Sequence, residues 1–467
     1  MSPGPRSRAV PRGGLAPSSD GLVSVLGIAR SGTAVAKLLA EKGYRVLASD
    51  AAATEETKKA EEALKRFGVE VCIGNHPLDR FRESVFAVIS PGIPEGAPPV
   101  KALERDGIPI YSEIEVGSWY ATAPIVAITG TNGKSTTVEM LGLLARGAGL
   151  PCRVCGNVGT PLSAVCQEVG PDGWLIVEVS SFQLAHIRSF RPRIAAILNI
   201  TPDHMDRYRD YGDYIEDKKR ILMNMRGDDI LVYNADDPEV RQLAETHRSA
   251  RFPFSLAERE EGIFPSGNSV KRRWRGREEI LFDRGDLSII GVHNLQNAMA
   301  AAAMARLMGA HAAVIARAMR DFSGLEHRME RSGTIRGIEF INDSKATNPG
   351  SVRVALESFA GRVILIVGGK EKGLDYSSLA GEVSRRVKYL IGMGECGRRV
   401  TEEIGAEIPT KVVPGMREAV QAALRAAEAG DIVLLSPGTS SYDQYANFEE
   451  RGKHFKAEVV RLAESES

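Results

Sequence analysis

Gly130-Thr131-Asn132-Gly133-Lys134-Ser135-Thr136 sets two glycines, a lysine and three hydroxyl side chains in seven consecutive positions. The segment directly follows the apolar run Ile125–Ile128 and precedes a helical stretch. Glycines let such a loop turn its backbone N–H groups inward and cradle phosphate oxygens at a helix N-terminus. Lys134 can reach β/γ-phosphates and the Ser135 hydroxyl can ligate Mg²⁺. The eight-position P-loop pattern is met imperfectly, because Ile128 stands where its first glycine belongs.

Other polar groups sit where they call for a partner. Glu178 interrupts the apolar run Trp174–Ser181, and a buried carboxylate is costly without a cation or hydrogen bonds. A metal ligand beside a phosphate loop is the natural compensation. Asp203-His204-Met205-Asp206 follows the apolar run Ile194–Asn199, at the strand end where open α/β sheets bind ligands. Lys218 and Lys219 fall in a helical stretch beginning near Tyr211, with nothing local to single one out. Asn157 lies in the turn-like Gly156-Asn157-Val158-Gly159. Two further polar loops, Asn342–Asn348 and Gly368–Gly373, each follow an apolar run and suit anions. Near the start, Gly27-Ile28-Ala29-Arg30-Ser31-Gly32 is a glycine-rich strand-to-helix turn with alanine at its middle glycine. Asp50, at the end of the next strand, is placed to meet a ribose or base.

These residues need a scaffold of strands with ligand loops at their C-terminal ends. From Gly21 onward, short apolar runs alternate with helical stretches in three successive blocks. That alternation predicts an α/β chain of mainly parallel sheets covered by helices. The length of 467 residues suits three domains. The Ala-rich stretch Asn297–Met319 reads as a packed helix, and Glu258–Gly276, with its basic run Lys271–Arg275, as a solvated loop. Residues 1–20, rich in Pro, Gly, Ser and Arg, read as a disordered tail.

Sixty basic residues balance sixty acidic ones, so no bulk charge favours nucleic acid. No apolar run approaches the roughly 20 residues that span a bilayer. Five cysteines with a single C-x-x-C (Cys152, Cys155) favour reduced thiols and a cytosolic setting over a zinc site.

The ordered set GTNGKST, GNVG, EVSSFQL, DHMDRY, HNLQNA, HRME, NDSKATN and SPGTSSYDQYANFEERG resembles the Mur ligases, from about Gly21 to Phe455. The resemblance implies a Rossmann-like N-terminal domain (21–120), a central P-loop ATPase-type domain (121–325) and a Rossmann-like C-terminal domain (326–467). It implies a cytoplasmic, monomeric, ATP-dependent amide ligase whose third domain closes over the site. Its substrates would be UDP-N-acetylmuramoyl-L-alanine and D-glutamate; another Mur ligase or a folylpolyglutamate-type ligase stays open.

Carried over, Gly130 to Thr136, Asn294, Asn297, Arg328 and Asp343 would hold ATP, with Asn157 near the reacting phosphate. Ser135, Glu178, His204 and a CO₂-carbamoylated Lys218 would bind two Mg²⁺ ions. Lys134, Asn157, His204 and Lys218 would be catalytic. Arg30, Ser31, Asp50, Ser90 and Gly92 would hold the uridine diphosphate, and Lys345, Thr347, Lys372, Ser441, Tyr442 and Phe448 the D-glutamate. Where relatives often follow the Asp50 equivalent with hydroxyl or arginine residues, this chain has Ala51-Ala52-Ala53, leaving uracil to backbone groups.

Overall fold

In the computed structural model, residues 21–205, 207–289 and 291–466 are described. The expectation for residues 1–20 and the last position of Asp203–Asp206 lie outside them. The chain builds three sheets. The first contains β1 (Leu22–Leu26), β2 (Arg45–Asp50), β3 (Glu70–Ile73), β4 (Ser84–Ile89) and β5 (Ile110–Ser112), in the order β3-β2-β1-β4-β5. Every pairing in it is parallel.

The second sheet holds β6 (Ile125–Thr129), β7 (Cys152–Gly156), β8 (Trp174–Glu178), β9 (Ile194–Ile197), β10 (Ile230–Asn234) and β11 (Ala250–Phe254). It ends in β12 (Gly262–Ser266), β13 (Ser269–Trp274) and β14 (Arg277–Asp283), in the order β14-β13-β12-β11-β10-β9-β6-β8-β7. The third consists of β15 (Glu330–Ile335), β16 (Ile338–Asn342), β17 (Val363–Val367), β18 (Val387–Met393), β19 (Thr410–Val413) and β20 (Ile432–Leu435), in the order β15-β16-β20-β17-β18-β19. Among the strands of the described residues, β12–β13, β13–β14 and β15–β16 are the antiparallel pairs.

One interior strand of each sheet, LVSVL, IVAIT and VILIV in turn, is buried at every position. Continuous apolar runs of this kind belong to parallel strands covered on both faces. One compact unit runs through Asp283 and includes Gln296–Met319; the second comprises Arg284–Leu295 and the residues from Arg320 onward. The first two sheets share their unit through the short helix Glu113–Trp119. Its buried Glu115 carboxylate accepts from Arg188 N (3.0 Å), Ser189 N (2.8 Å), Phe190 N (2.7 Å) and Trp119 Nε1 (2.9 Å). Such charge-assisted bonds are about twice as strong as neutral ones.

Two expectations need correction. The segment Glu258–Gly276 is not a solvated loop but contributes β12 and β13 to an antiparallel ribbon with β14. Three of its basic residues are paired across the ribbon: Lys271 and Arg273 with Glu278, and Arg272 with Glu279. Cross-strand opposite charges stabilise a strand that its charge density argued against. The Ala-rich stretch is two helices, Val292–Met308 and Ala312–Asp321, broken at Gly309. Among the described residues all five cysteines are free thiols, and no helix is long and apolar enough to cross a membrane.

Candidate active site

β6 pairs with β8 on one side and β9 on the other, so its C-terminal end is a point where the chain's connections diverge. Gly130–Thr136 leaves β6 there and enters the helix Lys134–Gly147. Gly133 has φ 87°, and a Cβ on it would stand 2.2 Å from Asn297 Oδ1, so only glycine fits. Lys134 folds back and donates to the carbonyls of Gly130 and Thr131, both at 2.7 Å. The hydroxyl of Thr136 is buried and has no hydrogen-bond partner among the described residues.

Asn199, which the sequence reading left without a role, clamps this loop. Its Oδ1 accepts from Asn132 N at 2.8 Å, and its Nδ2 donates to Asn132 O at 3.1 Å. Thr131 Oγ1 donates to Thr201 O and bonds the Tyr214 hydroxyl, each at 3.0 Å. The signal for Asn199 was a polar residue closing an apolar strand, the same signal that marked Glu178.

Glu178 ends β8 and is 2% exposed. Its Oε1 accepts from Asn157 Nδ2 at 3.1 Å, which brings Asn157 to the same edge. Among the described residues no cationic side chain stands within ion-pair distance of this carboxylate. A buried anion so placed fits a divalent cation.

Lys218 lies on the helix Tyr211–Lys219, capped by the Asp210 carboxylate, which accepts from Asp213 N. Tyr214 and Lys218, one turn apart, share the buried face, while Lys219 turns outward to pair with Glu216. The Lys218 amine is 1% exposed, donates to Gly130 O at 3.0 Å and lies 4.6 Å from the Tyr214 ring centre. Burial first, then the charge of Lys134, holds its pKa well below the ordinary lysine value. The Gly130 carbonyl therefore receives both Lys134 and Lys218.

His204 has φ 59°, uncommon outside glycine, and its ring centre sits 5.1 Å from that of Phe182. Among the described residues no three His, Cys, Asp or Glu side chains converge as a metal cluster.

The uridine-diphosphate candidates gather at the ends of β1, β2 and β4. Ser90 Oγ donates to Gly27 O at 3.0 Å. The Asp50 carboxylate shapes the turn by accepting from Ile28 N (3.0 Å) and Ala52 N (2.9 Å). Arg30 Nη1 donates to Gly159 O at 3.4 Å, and Ser31 opens the helix Arg30–Glu41. Arg207 stacks on Phe182 at 3.9 Å and donates to Pro91 O (3.2 Å) and Ile93 O (3.0 Å), tying the turn around Gly92 to the loop of His204.

In the second unit, Asp343 follows β16 and accepts from Ser436 Oγ at 2.9 Å and Met329 N at 3.3 Å. Burial pushes its carboxyl up to about 7. Arg328 is on the same unit and opposes that rise. Lys345 and Thr347 also follow β16, Lys372 follows β17, and Ser441 and Tyr442 follow β20. Lys345 Nζ lies 5.6 Å from the Phe448 ring centre. Ser441 is buried, whereas Tyr442 is 69% exposed. Asn294 and Asn297 both sit in the first turns of the helix Val292–Met308.

Residues 22–112 match the Mur ligase MurD-like N-terminal domain, 128–305 the Mur ligase middle domain, and 327–438 the Mur ligase glutamate ligase domain. The UDP-N-acetylmuramoylalanine–D-glutamate ligase of Pelotomaculum thermopropionicum is 41% identical over 444 residues, covering 94% of this chain and 97% of that protein. The ligase of the same name from Geotalea daltonii is 41% identical over 442 residues, with the same coverage of 94% and 97%. The crystal structure of MurF from Acinetobacter baumannii aligns with a TM-score of 0.60 at 18% identity, over 90% of this chain and 91% of that one. UDP-N-acetylmuramate-alanine ligase MurC from Thermotoga maritima aligns at 0.59 and 18%, over 95% and 100%. These two structural likenesses concern the fold.

Proposed function

The chain belongs to the Mur ligase family, and from that premise we propose that it joins D-glutamate to UDP-N-acetylmuramoyl-L-alanine through an amide bond, at the expense of ATP. The supporting geometry is the convergence on Gly130: the phosphate loop, the Lys134 ammonium and the buried Lys218 amine share one carbonyl, at a sheet edge that also carries Glu178.

A carboxylate does not condense with an amine in water, because its oxygen leaves poorly. Transfer of the γ-phosphoryl group to the alanyl carboxylate makes an acyl phosphate. The D-glutamate amine then attacks the carbonyl carbon, and phosphate departs with the C–O bond electrons. The loop N–H groups and Lys134 hold the transferring phosphate and offset its charge. Asn157 acts beside it, oriented by Glu178.

The donor set fits Mg²⁺: Glu178 is a buried carboxylate with an Asn157 amide but no cation beside it among the described residues, and Ser135 lies in the first turn of the helix at the loop. Mg²⁺ held by Ser135, Glu178, His204 and Lys218, in two sites, would neutralise phosphate charge. Burial lowers the Lys218 pKa and so favours the neutral amine, the form that condenses with CO₂ to give a carbamate and a proton. That carboxylate would turn Lys218 into a metal ligand.

Residues 21–120 hold the uridine diphosphate through Arg30, Ser31, Asp50, Ser90 and Gly92, and the backbone of Ala51–Ala53 serves uracil. Residues 121–325 bind ATP with Asn294 and Asn297. Residues 326–467 contribute Arg328 and Asp343 to ATP, and Lys345, Thr347, Lys372, Ser441, Tyr442 and Phe448 to D-glutamate. The enzyme works as a cytoplasmic monomer, without nucleic acid or membrane insertion. The test is ADP release by the purified chain. It is expected only when UDP-N-acetylmuramoyl-L-alanine and D-glutamate are both present; release indifferent to D-glutamate would overturn the reading.

A further inference from the structure

Arg451 lies in the helix Phe448–Glu466 and is 0% exposed. Burying a guanidinium is expensive, and this one has no carboxylate within ion-pair distance among the described residues. Burial lowers its pKa to about 10. Asp443 and Asp343 act on it only at longer range.

Its hydrogen bonds go instead to loops. Nε donates to Ser344 Oγ at 3.0 Å, and Nη2 donates to Ser344 O at 2.9 Å and Thr439 O at 3.0 Å. Nη1 is buried without a hydrogen-bond partner among the described residues. It abuts Gly369, where a Cβ would stand 3.0 Å from Nη1 and 2.5 Å from Ser440 O. Gly369 has φ 148°, so glycine alone permits this approach. The loops are also laced to each other: Lys370 N donates to Ser440 O (2.9 Å) and Thr439 Oγ1 to Lys370 O (2.7 Å). Ser344 Oγ in turn donates to Phe448 O at 2.8 Å.

We infer that Arg451 is the positioning residue of the amino-acid pocket, one buried fork holding the loops after β16, β17 and β20 in mutual register. Those loops carry Lys345, Thr347, Lys372, Ser441 and Tyr442, so the inference rests on the reading that they receive D-glutamate. A rigid planar fork suits the task, because it fixes several acceptors in one plane where a lysine fixes a point. Arg451 touches no reacting atom; it acts through the loops.

The experiment compares steady-state ADP release by the full chain and by Arg451→Met, Arg451→Lys and Ser344→Ala, with each substrate varied in turn. Arg451→Met is expected to raise the KM for D-glutamate at least tenfold, with the KM for ATP within twofold. Arg451→Lys recovers part of that loss. Ser344→Ala, which deletes one acceptor and keeps the cation, raises the same KM about threefold. If Arg451→Met does not fold, the other two variants decide. A D-glutamate KM within twofold of the parent in the folded variants, or equal rises for all three substrates, would overturn the inference. Absence of D-glutamate-dependent ADP release in the unmodified chain would instead remove the underlying reading.

Discussion

Replacing Asn199 with alanine tests whether the phosphate loop is held or merely tolerated in its cradle. The Asn199 amide meets both polar groups of the Asn132 peptide, at 2.8 and 3.1 Å. Each such bond contributes about 1 kcal/mol net, so losing both releases the loop by about 2 kcal/mol. At 1.36 kcal/mol per factor of ten, that is about a thirtyfold loss if the ordered loop is needed for catalysis. The assay is ADP release with ATP varied, and the loss should fall on kcat/KM for ATP. Asn199→Asp keeps the acceptor for Asn132 N–H, loses the donor and adds a negative charge near phosphate, so its deficit should be at least as large. A folded Asn199→Ala enzyme with kcat/KM for ATP within threefold of the parent would refute the reasoning.

Lys218→Ala should abolish turnover, with partial recovery on adding short-chain carboxylates, whereas Lys219→Met, at an exposed ion pair, should keep the parent's rate. Gly133→Ala combines a left-handed φ of 87° with a Cβ 2.2 Å from Asn297 Oδ1. Left-handed backbone alone costs about 1–2 kcal/mol outside glycine, so kcat/KM for ATP should drop about five- to thirtyfold in the same assay. Glu113 is fully buried, one oxygen accepting from Ser163 N at 2.5 Å and the other unpartnered; burial moves its carboxyl from 4.5 to about 7. The folded chain thus binds this proton more tightly than the unfolded chain. Its stabilising effect is complete below pH 4.5 and is lost as pH rises through 7, by about 3 kcal/mol in all. Denaturant unfolding across that range should show the decline in the parent and its absence in Glu113→Gln.

What the sequence made legible was whatever is local. The loop Gly130–Thr136 advertises itself in seven residues, and Glu178 stands out as a charge in an apolar strand. The choice between Lys218 and Lys219 was not legible, because it depends on which face of a helix packs against Tyr214 and Gly130, far away in the chain. Asn199 and Arg451 were missed for a related reason: their partners are backbone groups of distant segments, which no motif records. Asp50 ends β2, as its apolar run indicated, but that its oxygens accept from Ile28 N and Ala52 N was not legible, because those bonds join separate segments. The ribbon β12–β14 was hidden by its own charge, since cross-strand pairing that neutralises Lys271–Arg273 is a tertiary fact.

The bond pair from Arg207 to Pro91 and Ile93 makes the turn beside Ser90 and the loop of His204 a single mechanical piece. An inhibitor wedged beneath that turn would pull on the histidine's loop as well. On the function proposed above, a compound seated at the turn beside Ser90 should therefore shift the loop of His204 without touching the histidine itself.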